Sequence, residues 1–278
     1  MKKNRSIIFT LLIILLLIFV SGLIFAVTLD FDLPFLEIDR PSQSEEASEE
    51  VPEQVTPSAM TDEEKAARLA EIEKILNDDH LVLVNTENGL GPDDEPVEFL
   101  TVEGYRLDKT AGENLQRMLT DMRAAGHETM TIYSAFRNYA KQESNFNNKI
   151  NQYVNRGYDR ETATEMAATI VNPPGKSEHQ TGLAADICTN EMVNQYGSLP
   201  EQFAQTEAYS WLYEHCDEYG FILRYPEDKE DVTGITFEPW HYRYVGKEYA
   251  KEIMDKQICL EEYVEQLASE KAALLKEK

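Results

Sequence analysis

The first strong pattern along the chain is an uninterrupted apolar run. Residues 7–27, IIFTLLIILLLIFVSGLIFAV, hold 21 positions without a charge. At the helical rise such a run spans about 31 Å, close to the thickness of a bilayer core. Lys2, Lys3 and Arg5 precede it, and Asp30, Asp32, Glu37 and Asp39 follow it. The positive-inside rule then sets residues 1–6 in the cytoplasm and the rest of the chain outside. The run is long for a signal-peptide core and no A-x-A site follows it, so it reads as an uncleaved single-pass anchor. No cysteine near its end offers a lipid attachment. Residues 28–60 are acidic and rich in Ser, Pro and Glu, a composition that cannot bury enough apolar surface to offset its ordering entropy. They read as a disordered tether with a reach of about 30 Å.

Periodicity resumes at Thr61, which with Glu64 makes a capping box ahead of Leu69, Ile72, Ile75 and Leu76 at helical spacing. Leu81–Asn85 is a short β-rich run. A helix from about Thr110 to Ala125 sets Leu115, Met118, Leu119 and Met122 on one face, and Gly126 ends it. Thr129–Phe136 reads as a strand, and Asn138 and Asp159 as caps of two helices. Pro173, Pro174 and Gly175 then break the chain. Ala184–Cys188 reads as a strand, Glu207–Tyr219 as a helix stopped by Gly220, and FILRYP and Ile235–Val245 as two neighbouring strands. From Lys247 the chain is helical and increasingly charged. Helices and short strands alternate without βαβ regularity, which predicts an α+β fold with a small antiparallel sheet and flanking helices. The folded domain is expected over 61–265, with 266–278 a charged helical tail.

Composition narrows the partners. The 278 residues include 51 acidic and 26 basic side chains, a formal net charge of −25. Phosphate binding needs a cationic face, so nucleic acid is excluded as a partner. Cys188, Cys216 and Cys259 have no CxxC spacing, which excludes a zinc knuckle and favours three reduced, buried thiols. Nothing in the sequence calls for an obligate protein partner.

Candidate chemistry lies in two segments. Ser177–Asp186, SEHQTGLAAD, sets His179 and Asp186 seven residues apart around Gly182, and Glu238–His241, EPWH, adds a carboxylate and a second imidazole. His179, Asp186 and His241 make three metal ligands, and Glu238 is a base that does not bind the metal. That set, with one position left open to water, fits a catalytic zinc ion. Glu238 and His241 are three apart and would face opposite sides of a regular strand. A kink at Pro239 is needed to aim both into one cleft. His80, His127 and His215 lack carboxylate company at ligand spacing and read as structural or surface residues. Trp240, Tyr242 and Tyr244 read as packing.

These two segments resemble the paired zinc motifs of VanY-type zinc D-alanyl-D-alanine carboxypeptidases, the first as SxHxxGxAxD and the second as EPWHYRYVG. YGFILRYP, SAFRNYAKQ and ICLEEYV are similar to further stretches of that family, and the resemblance covers about residues 80–265. It implies the small α+β fold of zinc DD-peptidases, shared with Hedgehog signalling domains. It also implies one Zn²⁺ ion on His179, Asp186 and His241, and Glu238 as the catalytic base. The family's strand-end arginine falls on Arg137, for the oxyanion or the substrate carboxylate, while Gln142 and Ser177 are similar to groove-lining positions. The family's usual strand-end tyrosine is Phe136 here, which removes a hydroxyl. The activity implied is removal of the C-terminal D-Ala from peptidoglycan stem peptides, at the outer face of the cell membrane. Trimming of tetrapeptide stems by an L,D-carboxypeptidase, or a non-catalytic zinc-containing wall-binding module, are the alternatives.

Overall fold

The computed structural model describes residues 60–276. The expected anchor at 7–27 and all of the 28–60 linker except Met60 lie outside them. Among the described residues no helix is long and apolar enough to cross a membrane.

Helix α1, Asp62–Leu76, starts as its sequence dictates. The Glu64 backbone N–H donates to Thr61 Oγ1 at 3.3 Å, and the Thr61 N–H donates to Glu64 Oε2 at 2.7 Å. The β-rich run after it forms no strand. Asp79–Leu81 is a single 3-10 turn, and the carbonyls of His80 and Val82 are taken by the Arg243 guanidinium at 2.9 and 2.8 Å. A side chain thus occupies groups that a ladder would need. Next comes a hairpin that the sequence reading did not foresee, β1 (Phe99–Val102) and β2 (Tyr105–Asp108). Its two-residue turn places Glu103 and Gly104 at φ 51° and 88°, the left-handed conformations such a turn requires.

Helix α2, Lys109–Ala124, is capped by Asp108 and buries Leu115, Met118, Leu119 and Met122. Strand β3 (Met130–Ser134) leads to α3 (Tyr139–Asn155), capped by Asn138, and α4 (Arg160–Ala168), capped by Asp159. Strand β4 (Ala184–Thr189) is buried along its whole length. Helix α5 (Asn190–Tyr196) and α6 (Glu207–His215) follow, α6 tightening into a 3-10 turn at Cys216–Tyr219 before Gly220. Strand β5 (Phe221–Leu223), the short α7 (Glu230–Thr233), β6 (His241–Tyr244), α8 (Lys247–Lys256) and α9 (Leu260–Lys276) complete the described chain.

The main sheet has the order β3-β4-β6-β5 with every pairing antiparallel, so the architecture is α+β. Two expectations are corrected here. The strand over Ile235–Val245 contracts to β6, because residues 238–240 form a turn. The C-terminal part is helical as expected, in two helices separated where Gln257 turns left-handed at φ 53°. The second, α9, runs through the expected boundary at 265/266, and Leu267 and Leu274 are buried in the cluster that holds Leu69 and Ile72 of α1. Arg68 of α1 also pairs with Glu270 at 2.7 Å. Residues 266–276 therefore belong to the domain rather than to a separate tail.

Candidate metal centre

Sheet register assembles the centre. Ser134 pairs with Asp186 across β3 and β4, and Asp186 pairs with His241 across β4 and β6. The three residues thus stand in one row on one face. The β3–β4 register shifts between Ile132 and Ser134, an irregularity that re-aims the end of β3. His179 comes from the 3-10 turn Glu178–Thr181, which ends on Gly182 at φ 71°. A Cβ at Gly182 would lie 2.6 Å from the Asp108 backbone nitrogen, so the close approach of this turn to β2 requires glycine.

His179, Asp186 and His241 each present a ligand atom within 4.8 Å of the others, and all three are buried. Asp186 Oδ2 lies 3.3 Å from His179 Nε2, and Asp186 Oδ1 lies 3.0 Å from His241 Nδ1. Tetrahedral zinc with bonds near 2.0–2.1 Å sets its ligand atoms about 3.4 Å apart, so the donor set fits that ion. The His179 ring nitrogen turned away from the centre supports the same reading. His179 Nδ1 donates to the Ala135 carbonyl at 2.7 Å, which leaves Nε2 free to ligate.

Electrostatics follow from burial and the close carboxylates. Burial lowers His179 to about 4, with Arg137 adding to the effect. For His241 burial acts in the same direction, but the nearby Asp186 and Glu178 carboxylates overcome it and push the ring up to about 9. Burial would raise Asp186, yet His179 and His241 hold it well below the usual carboxylate range. A cation seated on His241 Nδ1 therefore displaces a proton from it.

Glu238 sits in the turn before β6. His241 N–H donates to the Glu238 carbonyl at 3.1 Å, and Glu238 N–H to the Tyr225 carbonyl at 3.2 Å. This turn supplies the kink required by the three-residue spacing, and it brings Glu238 Oε2 to 3.6 Å from His241 Nδ1. Burial pushes the Glu238 carboxyl up to about 7, and nearby Asp186 adds to it against His241 and Arg137. A carboxyl in that range suits proton transfer near neutral pH.

The other expected residues separate. Arg137 Nη1 donates to Ser134 Oγ at 3.0 Å and lies 3.8 Å from Asp186 Oδ2, with Ser177 Oγ 3.5 Å from Nη2. Both Arg137 and Ser177 line a cavity of 410 Å³ shared with the three ligands and Glu238. Gln142 does not reach it. Its side chain is buried and donates to the Asn172 carbonyl at 2.6 Å, so it supports the wall from behind. Trp240, expected as packing, lines the cavity. His80, His127 and His215 stay away from it, against Tyr244, Trp211 and Glu218. The three cysteines are free and buried, with burial raising Cys188 to about 11 and Cys259 to about 12.

Sequence reasoning missed Tyr225, whose ring lies 4.9 Å from that of His241, and the amide row Asn145, Asn148 and Asn172 with Lys149 on the cavity wall. It also missed Glu178, a wholly buried carboxylate between Arg224 and Arg243. Two arginines set inside apolar strand sequence were the available signal.

A family model described as VanY, D-alanyl-D-alanine carboxypeptidase, matches residues 104–247. A D-alanyl-D-alanine carboxypeptidase of Enterococcus faecalis is 39% identical over 185 residues, which cover 66% of this chain and 65% of that protein's length. The crystal structure of a D,D-pentapeptidase VanY from a VanB-type vancomycin resistance cassette, in complex with Zn(II), is similar at 35% identity and a TM-score of 0.57. It covers 67% of this chain and 99% of that one. The LdcB LD-carboxypeptidase is similar at 33% identity and a TM-score of 0.53, over 69% of this chain and 88% of that one.

Proposed function

The chain belongs to the VanY family of D-alanyl-D-alanine carboxypeptidases, and on that premise we propose that it hydrolyses the C-terminal D-Ala of peptidoglycan stem peptides. The observation that carries this reading is the convergence of His179, Asp186 and His241 with the raised carboxyl of Glu238 in one cavity. One zinc ion held by those three side chains supplies a Lewis acid that acidifies water and polarises a carbonyl.

The chain's own residues do the rest. Glu238 takes a proton from the attacking water and delivers it to the amine of the departing D-Ala as the C–N bond breaks. The hydroxyl goes to the carbonyl carbon, so one water is consumed per alanine released. Arg137, held by Ser134 and facing the cavity with its Nε unpartnered, provides a guanidinium for the substrate carboxylate or the oxyanion. Burial of the site keeps these charges at low dielectric, where they act more strongly. The apolar run at 7–27 and the acidic stretch after it support a position at the outer face of the cell membrane, where stem peptides lie.

Similarity to an LD-carboxypeptidase favours a second reading, removal of the terminal D-Ala of a tetrapeptide. Both are tested by incubating the purified protein with defined pentapeptide and tetrapeptide stems and weighing the products. Loss of one alanine from the pentapeptide alone is expected, abolished by a chelator and restored by zinc. Loss from the tetrapeptide alone replaces the first reading with the second. Loss from neither overturns both.

A further inference from the structure

Glu178 Oε2 and His241 Nε2 are both buried, and neither has a hydrogen-bond partner. They face each other across 3.7 Å. Glu178 is not free to turn away. Its other oxygen, Oε1, accepts from Arg224 Nε at 2.8 Å and from Arg243 Nη1 at 2.6 Å, with all three side chains wholly buried. Arg224 is itself clamped by both oxygens of Glu261, at the start of α9, at 2.8 and 2.6 Å. Arg243 is fixed by the carbonyls of His80, Val82 and Tyr244. The two glutamates and two arginines form a charge-balanced set in which a single oxygen remains uncommitted, and that oxygen points at a metal ligand.

We propose that Glu178 is a positioning residue for the metal centre. Its clamped Oε2 faces the Nε2 edge of His241 across 3.7 Å and so orients the ring with Nδ1, the nitrogen facing Asp186 and Glu238, toward the cation site. An imidazole has one proton to place when neutral, and a carboxylate on one nitrogen fixes which nitrogen ligates. His179 receives the equivalent support from the Ala135 carbonyl, a neutral acceptor. For His241 the group facing the outer ring nitrogen is a carboxylate. The arginine pair and Glu261 link this support to α9, so the C-terminal helix braces the metal centre through three side chains.

The inference rests on the zinc reading above, and the test separates the two. Zinc affinity of the full-length protein is measured by competition with a chromophoric chelator, for the parent chain, Glu178→Gln, Glu178→Asp and Leu274→Ala. The last removes a buried side chain far along α9 and controls for lost stability. Glu178→Gln is expected to weaken zinc binding about 10- to 100-fold, the range for removing such a supporting carboxylate. Leu274→Ala is expected to bind zinc as the parent does. With Co²⁺ in place of zinc, the visible absorption bands are expected to move in Glu178→Gln and to stay in place in Leu274→Ala. Where Glu178→Gln does not fold, Glu178→Asp keeps the charge for the arginines but withdraws the oxygen, and it too must lose zinc affinity. Parent-like zinc affinity and Co²⁺ spectra in the folded Glu178 variant overturn the inference alone. A parent chain that takes up no zinc overturns the zinc reading and this inference with it.

Discussion

Glu238 lies 3.6 Å from His241 Nδ1, yet its role requires that it not be a ligand. Its raised carboxyl, near 7, can hold a proton where Asp186, held well below the usual range by two imidazoles, cannot. On the proposed mechanism one carboxyl serves as the proton carrier and the other stays an anion, with environment alone setting them apart. Glu238→Gln keeps the shape and removes the proton carrier. It is expected to retain zinc while D-Ala release falls about 10²- to 10⁴-fold, the usual contribution of a positioned acid–base group. Chelator competition and an assay of released D-Ala check the two halves. An unchanged rate would remove Glu238 from the mechanism. At this scale the ligands were legible in the sequence because each imidazole has a carboxylate a few residues away. Glu178 was not, since a glutamate next to a ligand is ordinarily a solvated one. Only the fold reveals that Arg243 of β6 and Arg224, just past the end of β5, close over it. Gln142 was misplaced for the reverse reason. Its position along α3 gives no sign that its amide turns toward the Asn172 backbone.

Elements with a local cause were the readable ones. The caps at Thr61, Asn138 and Asp159 each begin a helix through a side-chain bond to a backbone N–H three residues on. The hairpin at residues 99–108 and the irregular run at 82–85 depend on what packs against them. The same holds for the C-terminal helices, whose charged sequence conceals how much of α9 is buried. Leu274 is fully buried in the cluster that joins α9 to α1. Leu274→Ala is therefore expected to lower stability by about 2–4 kcal/mol, the cost of deleting a buried leucine and leaving part of its volume empty. The urea unfolding midpoint reads it. D-Ala release by the folded variant is expected to match the parent, because Leu274 is distant from the cavity wall. A loss below about 0.5 kcal/mol would mean that the end of α9 frays and adds nothing to the domain.

At the scale of the whole molecule, charge and apolar pattern carry the proposal that the domain works at the outer face of the membrane. A net charge of −25 gives no attraction to anionic headgroups, so the proposed membrane residence rests on the uncharged run at 7–27. Residues 28–60 carry nine acidic and one basic side chain, a composition that supports the proposed reading of this stretch as a tether. Two measurements on the full-length protein bear on this. Alkaline carbonate strips proteins held by charge or by partners but leaves a spanning helix in place, so the chain is expected in the membrane pellet after that wash. Protease added to intact spheroplasts is expected to cut within 28–60, whose composition predicts an accessible backbone, and to release a soluble fragment that still removes D-Ala from stem peptides. Recovery of the chain in the cytosol, or resistance to external protease until the cells are lysed, would place the active site on the wrong side of the membrane for its proposed substrate.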